Sequence, residues 1–145
     1  MRNRTPASAS SRMDRFARES AASRLARFVF EVRRTLKSPE PDPVHDLRVS
    51  IRRLSQCLRI FIEFFPAPEV KRVRRRLRRI IELAAEARNR DIAAELLPKA
   101  GIRPGSPLIA RLAEDRKLAE RALVGELRRL TRRDFSSRWR ARLQL

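Results

Sequence analysis

The sequence predicts an all-α fold, an antiparallel four-helix bundle of long helices, on three observations. Apolar residues recur at steps of three and four along almost the whole chain, and no stretch shows the two-residue alternation of a half-buried strand. Breaks containing proline or glycine divide this pattern into four long segments, with room for a short extra helix at the C-terminal end. The breaks are short, which favours antiparallel neighbours in a bundle. At 145 residues there is room for one domain with a real core.

Taken in order, residues 1–11 carry Arg, Ser, Ala, Thr and Pro without an apolar period and are expected to form a mobile tail, leaving 12–145 as a single helical domain. Met13, Phe16, Ala17, Leu25, Phe28, Val29, Val32 and Leu36 predict a first helix over about 12–37. Three prolines between Ser38 and Pro43 end it. Asp42 reads as an N-cap with Pro43 in the first helical position, giving a second helix over 43–65 that stops before Pro66 and Pro68. A third helix is expected over 68–90, buried through Val70, Val73, Leu77, Ile80, Ile81 and Ala84. A shorter helical piece, 91–97, then leads to the loop from Pro98 to Ser106. Ser106-Pro107 repeats the cap-then-proline start for a fourth helix reaching about Arg133, with Leu108, Leu112, Ala119, Leu123, Leu127 and Leu130 on its apolar side. Asp134 opens the short final helix with Phe135, Trp139 and Leu143.

Charge is the second message. The chain holds 36 Lys+Arg against 17 Asp+Glu, a formal net charge of +19, and 32 of the basic residues are arginine. Such a field attracts polyanions and makes their binding fall steeply with salt. Arginine also grips two oxygens of one phosphate at once, which an ammonium does not do in the same way. A biased genome explains arginine in place of lysine, but not the excess of positive charge. Cys57 is the only cysteine, so an internal disulfide is excluded and no metal-binding cysteine cluster exists. The N-terminal arginines are followed by no apolar run, and the apolar stretches are too short and too interrupted to span a membrane. The expectation is a cytoplasmic protein without membrane insertion.

The charge is ordered on the second predicted helix. At about 100° per residue, His45, Arg48, Arg52, Gln56 and Arg59 share roughly a quarter of the helix circumference, a ladder about 20 Å long. Leu47, Ile51, Leu54, Leu58, Ile62 and Phe65 occupy the opposite side, so one face packs while the other presents cations. Spacing alone is equally compatible with a solvated arginine face. Arg53 points well away from the ladder, toward another groove or a subunit contact.

Residue order adds more. The run His45-x-x-Arg48-Val49-x-x-Arg52-Arg53-Leu54, continuing through Leu58-Arg59-Ile60-Phe61, resembles the signature of the CHAD family, the conserved histidine α-helical domain. Ala87-Arg88-Asn89-Arg90-Asp91-Ile92 resembles that family's Arg-Asp-x-Asp-Val segment, and the likeness covers about residues 12–143. Ser55 departs from it where a further basic residue is usual, and Ala85 where a glycine is common. The resemblance implies a helical bundle that binds inorganic polyphosphate through a basic channel, with His45, Arg48, Arg52 and Arg53 as motif positions and Arg59 and Arg88 as further candidates. It reaches only the first of the two four-helix halves of a full domain, so a homodimer is expected to complete the channel; truncation of a longer natural chain is the other explanation for the length. Asp91 is expected to orient Arg88 or an arginine on another helix.

No nucleotide-binding glycine loop, no carboxylate cluster suited to magnesium and no Glu-x-Glu-x-Lys triphosphatase signature is present. The reading is therefore non-enzymatic, with no catalytic residue, no metal and no cofactor, and with association with polyphosphate granules as the expected location. The main rival is a non-specific nucleic-acid-binding protein. It is weakened by seven Phe, one Trp and no Tyr, most of them on apolar stripes, which leaves little for base stacking. A helical adaptor for an acidic protein is a third possibility.

Overall fold

In a computed structural model that describes residues 6–145, with side chains from residue 9, the chain is helical nearly throughout and no strand occurs among the described residues. The order is α1 (Pro6–Lys37), α2 (Pro41–Ile60), a 3-10 turn (Ile62–Phe64), α3 (Ala67–Lys99), α4 (Pro107–Thr131) and α5 (Phe135–Leu143). Of the expected tail, residues 1–5 lie outside the described residues, and residues 6–11 are already helical. Pro6 suits a first turn, and Ala7 and Ala9 are strong helix formers.

Cross-helix pairs set the directions. Arg34 meets Asp46 near the α1–α2 connection, Arg74 meets Ser55 across α2 and α3, and Arg116 meets Asp91 across α3 and α4. Each pair joins the late part of one helix to the early part of the next or the reverse, as antiparallel neighbours require. The four long helices form the bundle, and α5 packs against α1 and α3.

Several boundaries differ from expectation for local reasons. α2 begins at Pro41 rather than 43, after an extended Glu40 that supplies no side-chain cap, so Asp42 lies in the first turn instead of capping it. Pro41 and Pro43 are tolerated there because first-turn N–H groups have no intrahelical partner. The same helix stops at Ile60, not 65. Phe65 must be extended ahead of Pro66 (φ −125°, ψ 154°), and one 3-10 turn bridges the interval. The expected break between 90 and 91 is absent and α3 runs on to Lys99, with Pro98 in its last turn. Its end is a Schellman motif: Gly101, at φ +83°, donates to the Pro98 carbonyl, and Ile102 donates to that of Leu97. α4 ends at Thr131, two residues before the expected Arg133. Ser106 caps α4 by accepting from the Leu108 N–H, and Asp134 caps α5 by accepting from the Ser137 N–H.

The core follows the predicted stripes: Ala17, Ala21, Leu25, Phe28 and Val32 from α1; Val44, Leu47, Ile51, Leu54 and Leu58 from α2; Val70, Val73, Leu77, Ile80, Ala84 and Ala87 from α3; Leu123, Leu127 and Leu130 from α4. Trp139 of α5 stacks on Phe28 at 5.8 Å between centroids, with Phe135 edge-on to both. Some predicted stripe members are not buried. Met13, Phe16, Ile62 and Leu108 are exposed. Ile62 falls in the 3-10 turn, which rotates it off the α2 stripe. Leu108 lies at the end of the α3–α4 hairpin, past Arg116, whose Nη2 donates to the Pro39 carbonyl where the α1–α2 connection crosses. No residue from 92 to 115 is buried. Among the described residues, no helix is long and apolar enough to cross a membrane.

Candidate functional site

The packing of α2 on α3 decides where the arginines go. Ile51 and Leu77 close the space between the helices, and the flanking residues rise on either side of an open groove of about 320 Å³. Arg52, Gln56 and Arg59 line it from α2, in the register of the predicted ladder. Arg74 and Arg78 line it from α3. These last two were missed by sequence reasoning. A signal did exist, because Arg74, Arg78 and Arg88 lie on one flank of the α3 apolar stripe, but α3 carries so many arginines that its functional flank shows only once α2 is docked. Ser55, the departure from the CHAD pattern, accepts a hydrogen bond from Arg74 Nε at 3.3 Å and so steadies a cation supplied by the neighbouring helix.

Arg48 stands one turn from Arg52. Burial first, then the charges of Arg52 and Arg88, push its guanidinium below the usual arginine range. Arg52 and Arg88 are thus close enough to act on the charge of Arg48 from the two helices. Arg48 Nε is buried and has no hydrogen-bond partner. Arg88 is 3.9 Å from Glu95, a loose pairing. His45 is exposed just past the first turn of α2, which begins at Pro41.

Arg53 lies on the other side of α2, where it lines a second groove with Ser23, Arg24, Arg27 and Ser50. Of the predicted set, then, Arg48, Arg52, Arg59 and Arg88 border the α2–α3 face, His45 sits at its end, and Arg53 is apart. Asp91 binds an arginine of another helix, Arg116, at 2.7 Å.

Counter-ions separate this face from the charged seams elsewhere in the bundle. Arg27 and Arg34 flank the buried Glu31, Arg76 and Arg129 flank Glu126, and Arg116 holds Asp91 and Glu120. Among the described residues, none of Arg48, Arg52, Arg59, Arg74 or Arg78 is paired with a carboxylate. Cations held close together in a fixed frame without counter-ions favour a multivalent anion. No group of His, Cys, Asp and Glu among the described residues could hold a metal ion.

The family model of the CHAD domain matches residues 19–145. The chain belongs to the CHAD family. No curated protein and no solved structure matches it at a significant level. The CHAD family is associated with polyphosphate binding, and the CHAD domain is not in itself a catalytic fold. In this CHAD protein the motif helix α2 brings its arginines against those of α3, and its consecutive Arg52 and Arg53 open onto two different grooves.

Proposed function

We propose that this CHAD protein binds inorganic polyphosphate, without turning it over, in the α2–α3 groove. The carrying observation is the set of arginines around one open groove, Arg52 and Arg59 facing Arg74 and Arg78, with no carboxylate among them. A polyphosphate chain carries about one negative charge per repeat and offers neither a base to stack nor an edge to read, so a row of guanidinium forks is its natural complement. Helix packing fixes the spacing of the forks in advance, which lowers the ordering cost of binding. Arg48 and Arg88 extend the row toward the start of α2, where the positive end of the helix dipole lies near His45. Two copies related by a twofold axis would bring two such faces together into a channel. On this reading the protein is cytoplasmic and gathers with polyphosphate granules.

Competition at physiological salt tests the proposal, with labelled polyphosphate displaced by unlabelled polyphosphate, duplex DNA or RNA. Polyphosphate is expected to displace best, and an Arg48→Ala/Arg52→Ala variant to lose that preference. Equal displacement by every polyanion, with the variant unchanged, would leave net charge as the binding agent and favour the nucleic-acid reading. Light scattering checks assembly: a monomer both alone and with polyphosphate rules out the dimer.

A further inference from the structure

Three depressions follow one another around α2. The α2–α3 groove and a second hollow share the wall formed by Arg52 and Gln56. That hollow in turn shares Arg24 and Arg53 with the groove between α1 and α2. The path thus leads from α3, over the exposed back of α2, to α1 without a break. Its middle has an apolar floor of Cys57, Ile60 and Phe61, so polar contacts there come from the rim of arginines and Gln56.

The far end is also chemically suited to an anion. Arg53 is exposed and, among the described residues, paired with no carboxylate. Arg24 donates to the Ser20 carbonyl of its own helix and is likewise free of carboxylates. Ser23 adds an exposed hydroxyl beside them. Arg27 differs, being neutralised by Glu31 at 2.5 Å and lying over the Phe30 ring. Two uncompensated arginines and a hydroxyl therefore stand at the end of a path that begins in the main groove.

We infer that a long polyphosphate chain crosses α2, held first by the α2–α3 groove and then by a second subsite formed by Arg24, Arg53 and Ser23 on the α1 side. This rests on the polyphosphate reading and adds a selectivity to it. A short oligomer occupies the main groove only. A chain long enough to span the helix, about 10–12 Å across, engages the second subsite intramolecularly, at a high effective concentration. Affinity then rises with chain length more steeply than the number of charges explains. It also accounts for adjacent arginines, Arg52 and Arg53, pointing to different sides of one helix: they are successive holds on one chain.

The test compares tripolyphosphate with long-chain polyphosphate on three proteins at physiological salt: the wild type, Arg24→Ala/Arg53→Ala, and Arg121→Ala/Arg128→Ala. The last removes the same charge from exposed positions on α4, away from the path. The Arg24/Arg53 variant is expected to bind the long chain about a hundredfold more weakly, at roughly tenfold per lost charge-assisted contact, and tripolyphosphate as the wild type does. Its salt dependence for the long chain should flatten by roughly 0.7 in log–log slope per lost contact, the single-strand value. Circular dichroism confirms that helicity is kept, and an Arg24→Gln/Arg53→Gln pair gives the same contrast if the alanine pair is unstable. Equal weakening in the α4 control, or equal weakening for both chain lengths, overturns the crossing and leaves the main groove standing. If Arg48→Ala/Arg52→Ala weakens neither chain, the polyphosphate reading falls and the crossing with it.

Discussion

The two flanks of α3 carry the same side chain and put it to opposite uses. On the side facing α4, Arg76 meets Glu126, which is buried and also paired with Arg129. Further along the same helix Asp91 meets Arg116. On the side facing α2, Arg74 and Arg78 meet Arg52 and Arg59, and among the described residues Arg74 finds the Ser55 hydroxyl there instead of a carboxylate. One flank is a seam in which charges are matched; the other leaves charges of one sign exposed around a cavity. Arginine content is therefore no guide to function in this chain. The carboxylates distinguish the two flanks, present on one and absent from the other.

The comparison breaks most sharply on the α2 side. Arg74→Ala/Arg78→Ala is expected to weaken polyphosphate binding about a hundredfold, at roughly tenfold per contact, while thermal stability is unchanged or rises as like charges are relieved. Titration and a melting curve on one preparation check both halves. The matched seam should respond the other way. Asp91→Ala leaves the largely buried Arg116 with Glu120 and the Pro39 carbonyl alone, and is expected to cost about 1.5–3 kcal/mol in urea unfolding, the scale of a hydrogen bond between charged groups, with polyphosphate affinity unchanged.

A swap sharpens the contrast further. Gln56→Glu would place a carboxylate one turn from both Arg52 and Arg59, giving the α2-facing flank the counter-ion it lacks. Stability should rise by at most about 0.5 kcal/mol, as for other exposed helix pairs, while polyphosphate affinity falls about tenfold. A variant that binds as tightly as the wild type would mean that these arginines do not act together.

The smallest effect lies away from both flanks. Asp134 is held below its usual carboxylate range, first by the Ser137 hydroxyl and then by the Ser137 N–H, which donate to it at the start of α5. A depressed carboxylate contributes stability that is present above its unfolded value and is lost as pH falls through its lower native value. Amide exchange in α5 should therefore speed up below the ordinary carboxylate range in the wild type. In Asp134→Asn that acid-dependent step should be absent.

Where the sequence carried a local signal, the structure agrees with it closely. The α2 stripe of Leu47, Ile51, Leu54 and Leu58 is buried and the Arg48, Arg52 and Arg59 ladder lies opposite, because helical period alone relates those positions. Ser106 and Asp134 cap their helices as expected, since a cap needs only residues within one turn. Local signals failed where they competed. Asp42 was a plausible cap, but prolines on both sides of it fit the first turn and the helix began two residues earlier. An expected break after Arg90 did not form, as no residue there prevents the helix from continuing and Asp91 is drawn inward to Arg116.

The sequence by itself thus determined the helical class, the main apolar stripes, the CHAD motif and a large excess of arginine over carboxylate. These depend on period, composition and neighbours within a turn or two. Only the tertiary structure decided which arginines are left without partners. Arg76 and Arg74 are two residues apart, yet one faces Glu126 and the other Ser55. That difference arises from which helix packs on each flank, through contacts between residues far apart in the chain, and no local pattern encodes it.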